Sequence, residues 1–125
     1  MIETNLRTYL VANVASAGGR VYPAKLPQNP TYPCITYFQV SGPRDYSHDG
    51  YSGTTASRYQ VSCWGKTYAA AKGLAREVIR AVEGYTGMMG TTRIGLIRVD
   101  NETDNYEYDS DVYHMPVDLI IQYKE

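Results

Sequence analysis

The chain has 125 residues, 12 basic and 13 acidic side chains, a net charge of −1 and two cysteines. That length predicts a single domain over residues 1–125, burying roughly two-thirds of its unfolded surface without staples. The near-neutral balance excludes a protein that coats nucleic acid through bulk charge, and no apolar run approaches the ~20 residues of a bilayer-spanning helix.

In chain order, Ile2, Leu6, Leu10 and Val14 fall at steps of four and predict a helix from about Glu3 to Ser16, ended by Gly18-Gly19. Met1-Ile2-Glu3-Thr4 lacks the basic start and apolar run of a signal peptide, so folding in a cytosol-like compartment is expected. Arg20-Val21-Tyr22 suits a short strand. Four prolines between Pro23 and Pro33 then predict a stiff surface connector. Cys34–Ser41 alternates as a strand. Gly42–Thr55 is polar and glycine-rich, and too long for a tight turn, so it should project as a hairpin arm over residues 43–55.

The strand Ser57–Gly65 sets Tyr59, Val61 and Cys63 against Arg58, Gln60, Ser62 and Trp64, the period-two pattern of a half-buried strand. Behind it, Ala70, Ala71, Leu74, Ala75, Val78, Ile79 and Val82 recur at helical period between an N-cap at Thr67 and a stop at Gly84. Tyr85–Thr92 reads as a loop, Arg93 to about Asp100 as a strand and Asn101–Asp111 as a polar turn. Val112–Lys124 is the longest strand, with Tyr113, Met115, Val117, Leu119, Ile121 and Tyr123 on one face. Pro116 within it predicts an edge position or a bulge. The expected fold is α+β: an antiparallel sheet of four to five strands, two helices packed on one face, and a long β-hairpin arm.

Candidate chemistry is sparse. Cys34 and Cys63 read as reduced, buried thiols, a cross-strand disulfide being the alternative; no Cys-x-x-Cys or His-x-x-x-His spacing for a metal occurs. Asp100, Glu102, Asp104, Glu107, Asp109 and Asp111 pack six carboxylates into twelve residues without a Lys or Arg. Their spacing echoes a calcium loop, but Asn105 stands where that loop needs glycine, and the closing Glu is missing. The turn therefore reads as a solvated surface, or as a charged face for a neighbour or a lumen. His48 has Asp45 and Asp49 nearby but no pocket; His114 lies opposite Val117 and Leu119. No nucleophile elbow, Walker loop or dinucleotide fingerprint occurs. Lys72, Arg76 and Arg80 form a basic stripe on the second helix, either solvated or able to dock on the acidic turn of a neighbouring subunit. Thirteen tyrosines against one Phe and one Trp favour surfaces that are wet before assembly and buried after it.

Taken together, Arg20-Val21-Tyr22-Pro23, Tyr32-Pro33, Val40-Ser41-Gly42, the glycine- and serine-rich arm, Arg58-Tyr59-Gln60-Val61-Ser62-Cys63-Trp64-Gly65, Tyr68-Ala69-Ala70-Ala71 and Val117-Asp118-Leu119-Ile120 form a pattern over nearly the whole chain. It resembles the small tail completion (tail terminator) proteins of long-tailed bacteriophages and gene transfer particles. Ser62 departs from it, standing where an acidic residue is expected. The resemblance implies a non-enzymatic virion protein without cofactor or metal. It would be assembled in the host cytoplasm as a ring, typically of six subunits, on the head-proximal end of the tail tube. The ring would stop tube polymerisation and join the tail to the head connector, and DNA would pass through its lumen without sequence-specific binding. The arm residues Arg44, Asp45, Tyr46, His48, Asp49 and Tyr51 are the expected contact with tube or connector, ordering on binding. The alternatives are another head–tail connector or a tube subunit, a small metal-dependent hydrolase using His48, His114 and the acidic turn, or an adaptor for host proteins.

Overall fold

In the computed structural model, which describes residues 1–42, 44–47 and 50–124 and only the backbone over 44–47 and 50–54, the N-terminal periodicity forms α1 (Ile2–Asn13). Its Ile2, Leu6 and Leu10 are buried. One 3-10 turn, Ala15–Ala17, extends it, and Gly18 ends it at φ +58°, a conformation that costs glycine little. The second helix, α2 (Tyr68–Val82), begins at Thr67, whose side chain accepts from the Ala70 amide at 3.1 Å. Such a cap stabilises a helix by about 1 kcal/mol. Gly84, at φ +76°, follows its last residues.

The strands are β1 (Val21–Pro23), β2 (Cys34–Ser41), β3 (Arg44–Ser47), β4 (Gly50–Gly65), β5 (Gly87–Met89), β6 (Thr92–Glu102), β7 (Asn105–Glu107) and β8 (Val112–Lys124). They form one sheet of eight strands in the order β1-β2-β4-β8-β6-β5, with β3 added on β4 and β7 on β8. The expected four to five strands were too few, and the sheet is mixed rather than antiparallel. The proline-rich connector brings the chain back so that β2 runs parallel to β1, pairing Val21 with Ile35 and Pro23 with Tyr37. The extra strands β5 and β7 have three residues each, too few to register an alternation. The expected arm is a β-hairpin in which β3 pairs antiparallel with the first part of β4.

Both helices pack on one face, against Tyr59, Val61 and Cys63 of β4, Met115, Val117, Leu119 and Ile121 of β8, and Ile94 and Ile97 of β6. The sheet curls, so that α1 meets both edge strands, β1 and β5, while α2 lies over β4, β8 and β6. Pro116 is at neither an edge nor a bulge: β8 is central. Its carbonyl accepts from the Thr103 amide at 3.1 Å, on the side where β6 has ended at Val117 and β7 begins only at His114. A residue's N and C=O face the same side of a strand, so the nitrogen without a hydrogen falls in this gap of the neighbouring ladder.

The junction of β4 and α2 is tight. A Cβ at Gly65 would stand 2.8 Å from the Ala71 backbone nitrogen. Gly65→Ala must therefore push α2 off the sheet, and overpacking of this kind costs about 1–3 kcal/mol. Equilibrium urea unfolding should show a lower midpoint for this variant than for Gly73→Ala, where a Cβ meets open space.

Candidate interaction surface

The irregularity of β6 organises the charges. Val99 pairs with Leu119 and Asn101 with Asp118, so one residue, Asp100, is extra. Such a bulge resets the alternation. Asp100 turns to the face away from the helices, and Glu102, opposite the buried Val117, turns towards α2. There Lys72 Nζ lies 3.0 Å from Glu102 Oε1 and 2.8 Å from Asp104 Oδ1. Arg76 Nη2 reaches Glu102 Oε1 at 3.3 Å, and the Tyr68 hydroxyl donates to Asp104 Oδ2 at 2.9 Å. The hydrogen bond from Lys72 holds the Asp104 carboxyl below its ordinary range, and Asp104 in turn raises the Lys72 ammonium. Part of the basic stripe and part of the acidic turn thus meet within one chain. Lys72 bridges Glu102 and Asp104, whereas Asp100, which the calcium-loop echo would join to them, lies on the other face with Arg58. Among the described residues, no group of three or more His, Cys, Asp or Glu is placed to hold a metal ion.

The other predicted residues are dispersed. Arg80 lies one turn beyond Arg76 and lines a shallow concavity with Arg76, Ile79 and Glu83. Asp100 pairs with Arg58 at 2.7 Å on the open face of the sheet, where Arg58 also approaches Asp118 at 3.9 Å and Gln60 donates to Asp118 at 3.2 Å. Glu107 reaches His114 Nδ1 at 3.4 Å. The His114 ring stacks on Trp64, centroids 3.9 Å apart, and Trp64 donates to Thr36 Oγ1 at 3.0 Å. Burial lowers the His114 pKa, and Glu107 opposes the shift in part. Asp109 is exposed on the turn after β7. His48 and Asp49 lie outside the described residues, as do the side chains of Arg44, Asp45, Tyr46 and Tyr51. Cys34 and Cys63 are buried and free, and burial pushes the Cys34 thiol up to about 11.

An aromatic cluster joins this end of the molecule, and sequence reasoning had not singled it out. Tyr113 touches Tyr68 edge-on at 5.8 Å and Tyr106 at 4.9 Å; Tyr106 meets Tyr108 edge-on at 4.8 Å. Tyr106 donates to Asp111, which pushes the Tyr106 pKa up to about 12. Tyr108 stands 87% exposed. The available signal was tyrosine at alternate positions 106 and 108 inside the acidic run.

Fold and surface together define the class: an α+β module whose mixed sheet curls around two helices and whose charge is gathered into surface clusters. The chain belongs to the tail completion family; the family model described as Tail completion protein gp17 matches residues 4–124. It is accordingly a structural protein of a virion tail. The same fold occurs in a chain of the virion of a native gene transfer agent particle, with a TM-score of 0.66 at 18% identity, covering 99% of this chain and 92% of that one. No curated protein sequence is significantly similar to this chain. No helix among the described residues is long and apolar enough to cross a membrane.

The clamp between α2 and β6 predicts a pH window. Asp104, with its carboxyl held below 3.8, adds stability above that value and loses it as pH falls through the lowered folded pKa; Lys72, raised above 10.5, adds stability below 10.5 and loses it as pH rises further. Asp104→Asn should therefore unfold at lower urea than the parent chain at pH 5 to 8, with the difference closing below pH 3.8. A difference unchanged from pH 7 to pH 3 would contradict the ion-pair account.

Proposed function

We propose that the chain forms a ring on the head-proximal end of a tail tube, stops the tube from growing further and offers its opposite side to the head connector. Membership of the tail completion family over residues 4–124 is the observation that carries this reading. The fold supports it physically. A ring needs two different, mutually complementary patches on each subunit. The helices cover one face of the sheet and leave the other, with Phe38, Val40, Arg58 and Asp100 at its surface, available for contact. β3 and β4 form a hairpin, and its residues Arg44 to Tyr51 are the proposed contact with tube or connector. The role is structural rather than enzymatic on this reading: the titratable groups serve the fold, with His114 stacked on Trp64 and Lys72 held by two carboxylates. DNA would pass through the lumen without specific contacts, as suits a chain of net charge −1.

Native mass spectrometry over a range of concentrations, with negative-stain images of the same samples, tests the proposal. The expected outcome is closed rings of one size that do not lengthen. Long tubes formed by this chain alone would move it to a tube subunit.

A further inference from the structure

Two features of this surface have complementary chemistry that the intrachain pairs do not use. The first is the concavity of about 500 Å³ along the C-terminal half of α2, lined by Arg76, Ile79, Arg80 and Glu83. Arg76 gives one guanidinium nitrogen to Glu102 yet keeps 60% of its side chain exposed, and Arg80 is exposed. Ile79, half-buried, supplies an apolar floor. The second feature is Tyr108. At 87% exposure it is the most exposed large hydrophobic side chain among the described residues. It does not serve the core. Its ring is steadied edge-on by Tyr106, which Asp111 holds in turn, and the exposed Glu107 and Asp109 on either side make its surroundings acidic.

We propose that Tyr108 of one subunit seats in the concavity beside Arg80 of a second copy of this chain. Charge favours this occupant: the concavity carries Arg80 and the free side of Arg76 beside the one carboxylate of Glu83, and carboxylates flank the ring on the other patch. The face of Tyr108 suits a guanidinium, a cation–π contact stabilising by about 0.5–2 kcal/mol depending on desolvation. Asp109 suits Arg80, and the tyrosine hydroxyl is a donor for Glu83. Tyrosine and arginine are also the residue types that dominate the energetics of protein interfaces. Because knob and socket are different patches, each subunit uses one of each, and the contact propagates head to tail until it closes. The inference rests on the ring reading and deepens it by naming the contact between subunits.

The test is cysteine trapping of the full chain. Tyr108→Cys and Glu83→Cys are mixed in equal amounts under mild oxidation; the native thiols, both buried, do not compete. The mixture should give at least tenfold more covalent dimer than either variant alone, and a chain carrying both changes should give a ladder ending at a closed ring. In parallel, Arg80→Glu should weaken assembly at least tenfold, and mixing it with Asp109→Arg should restore it. If the parent chain forms rings while the mixture traps no more dimer than the single variants, and Arg80→Glu assembles like the parent, the contact is wrong and the ring reading stands. If the parent chain stays monomeric both alone and with tail tubes, the ring reading falls and the contact falls with it. A covalent ladder that stops at the dimer overturns the head-to-tail arrangement.

Discussion

The architecture depends on one helix holding both edges of the sheet. Asn5 and Arg7 are two residues apart on α1, so they project to opposite flanks, about 200° apart. Asn5 Nδ2 donates to Thr92 Oγ1 at 2.7 Å and Thr91 Oγ1 at 3.1 Å, beside β5; Arg7 Nε donates to the Val21 carbonyl of β1 at 3.0 Å. Leu6, between them, is fully buried in the core. Gly90 makes the approach on one side feasible: it sits at φ +60°, and a Cβ there would run into Asn5 Oδ1, so the site favours glycine. Because α1 ties down β1 and β5 together, the sheet must curl, and the trough it makes receives α2. The sheet face turned away from the helices, with Arg58 and Asp100, and the turn carrying Tyr108 consequently stay outside this packing.

Electrostatics refines this packing rather than creating it. Apolar burial under Ala71, Leu74, Ala75, Val78 and Val82 seats α2, at roughly 25 cal/mol for each Å² of apolar surface removed from water. Partly exposed ion pairs contribute about 0–1 kcal/mol each. The bulge at Asp100 decides where they form. By turning Glu102 inward it satisfies Lys72 and one side of Arg76, pinning the N-terminal half of α2 to the end of β6. In the C-terminal half, Arg80 of the stripe stays exposed. A stripe uniform in sequence thus becomes two unlike halves in space, one internal and one presented outward.

The elements with long, clean periodicity were legible in the sequence: α1 through Ile2, Leu6 and Leu10, β2, the core-facing alternation of β4, α2 with its Thr67 cap, and β8 from Val112 to Lys124. What escaped depends on partners distant in the chain. Three-residue strands have no period to detect, and the parallel pairing of β1 follows from the path of the connector rather than from any local pattern. Pro116 is compatible with a central strand only because two neighbouring strands leave a gap opposite it. The acidic run and the basic stripe were visible as sequence clusters, but that Lys72 meets Glu102 and Asp104 of its own chain while Asp100 faces Arg58 depends on a single bulge. Tyr108 was hidden by an abundance of tyrosine that included Tyr59 and Tyr37, both of which are core.

The most direct measurement is of tail tubes grown from purified tube protein in the presence of increasing amounts of this chain, imaged by electron microscopy with the chain labelled. A terminator predicts that mean tube length falls as the ratio of chain to tube protein rises, with label confined to one end of each tube. Tubes of unchanged length, or label distributed along their walls, would contradict the account.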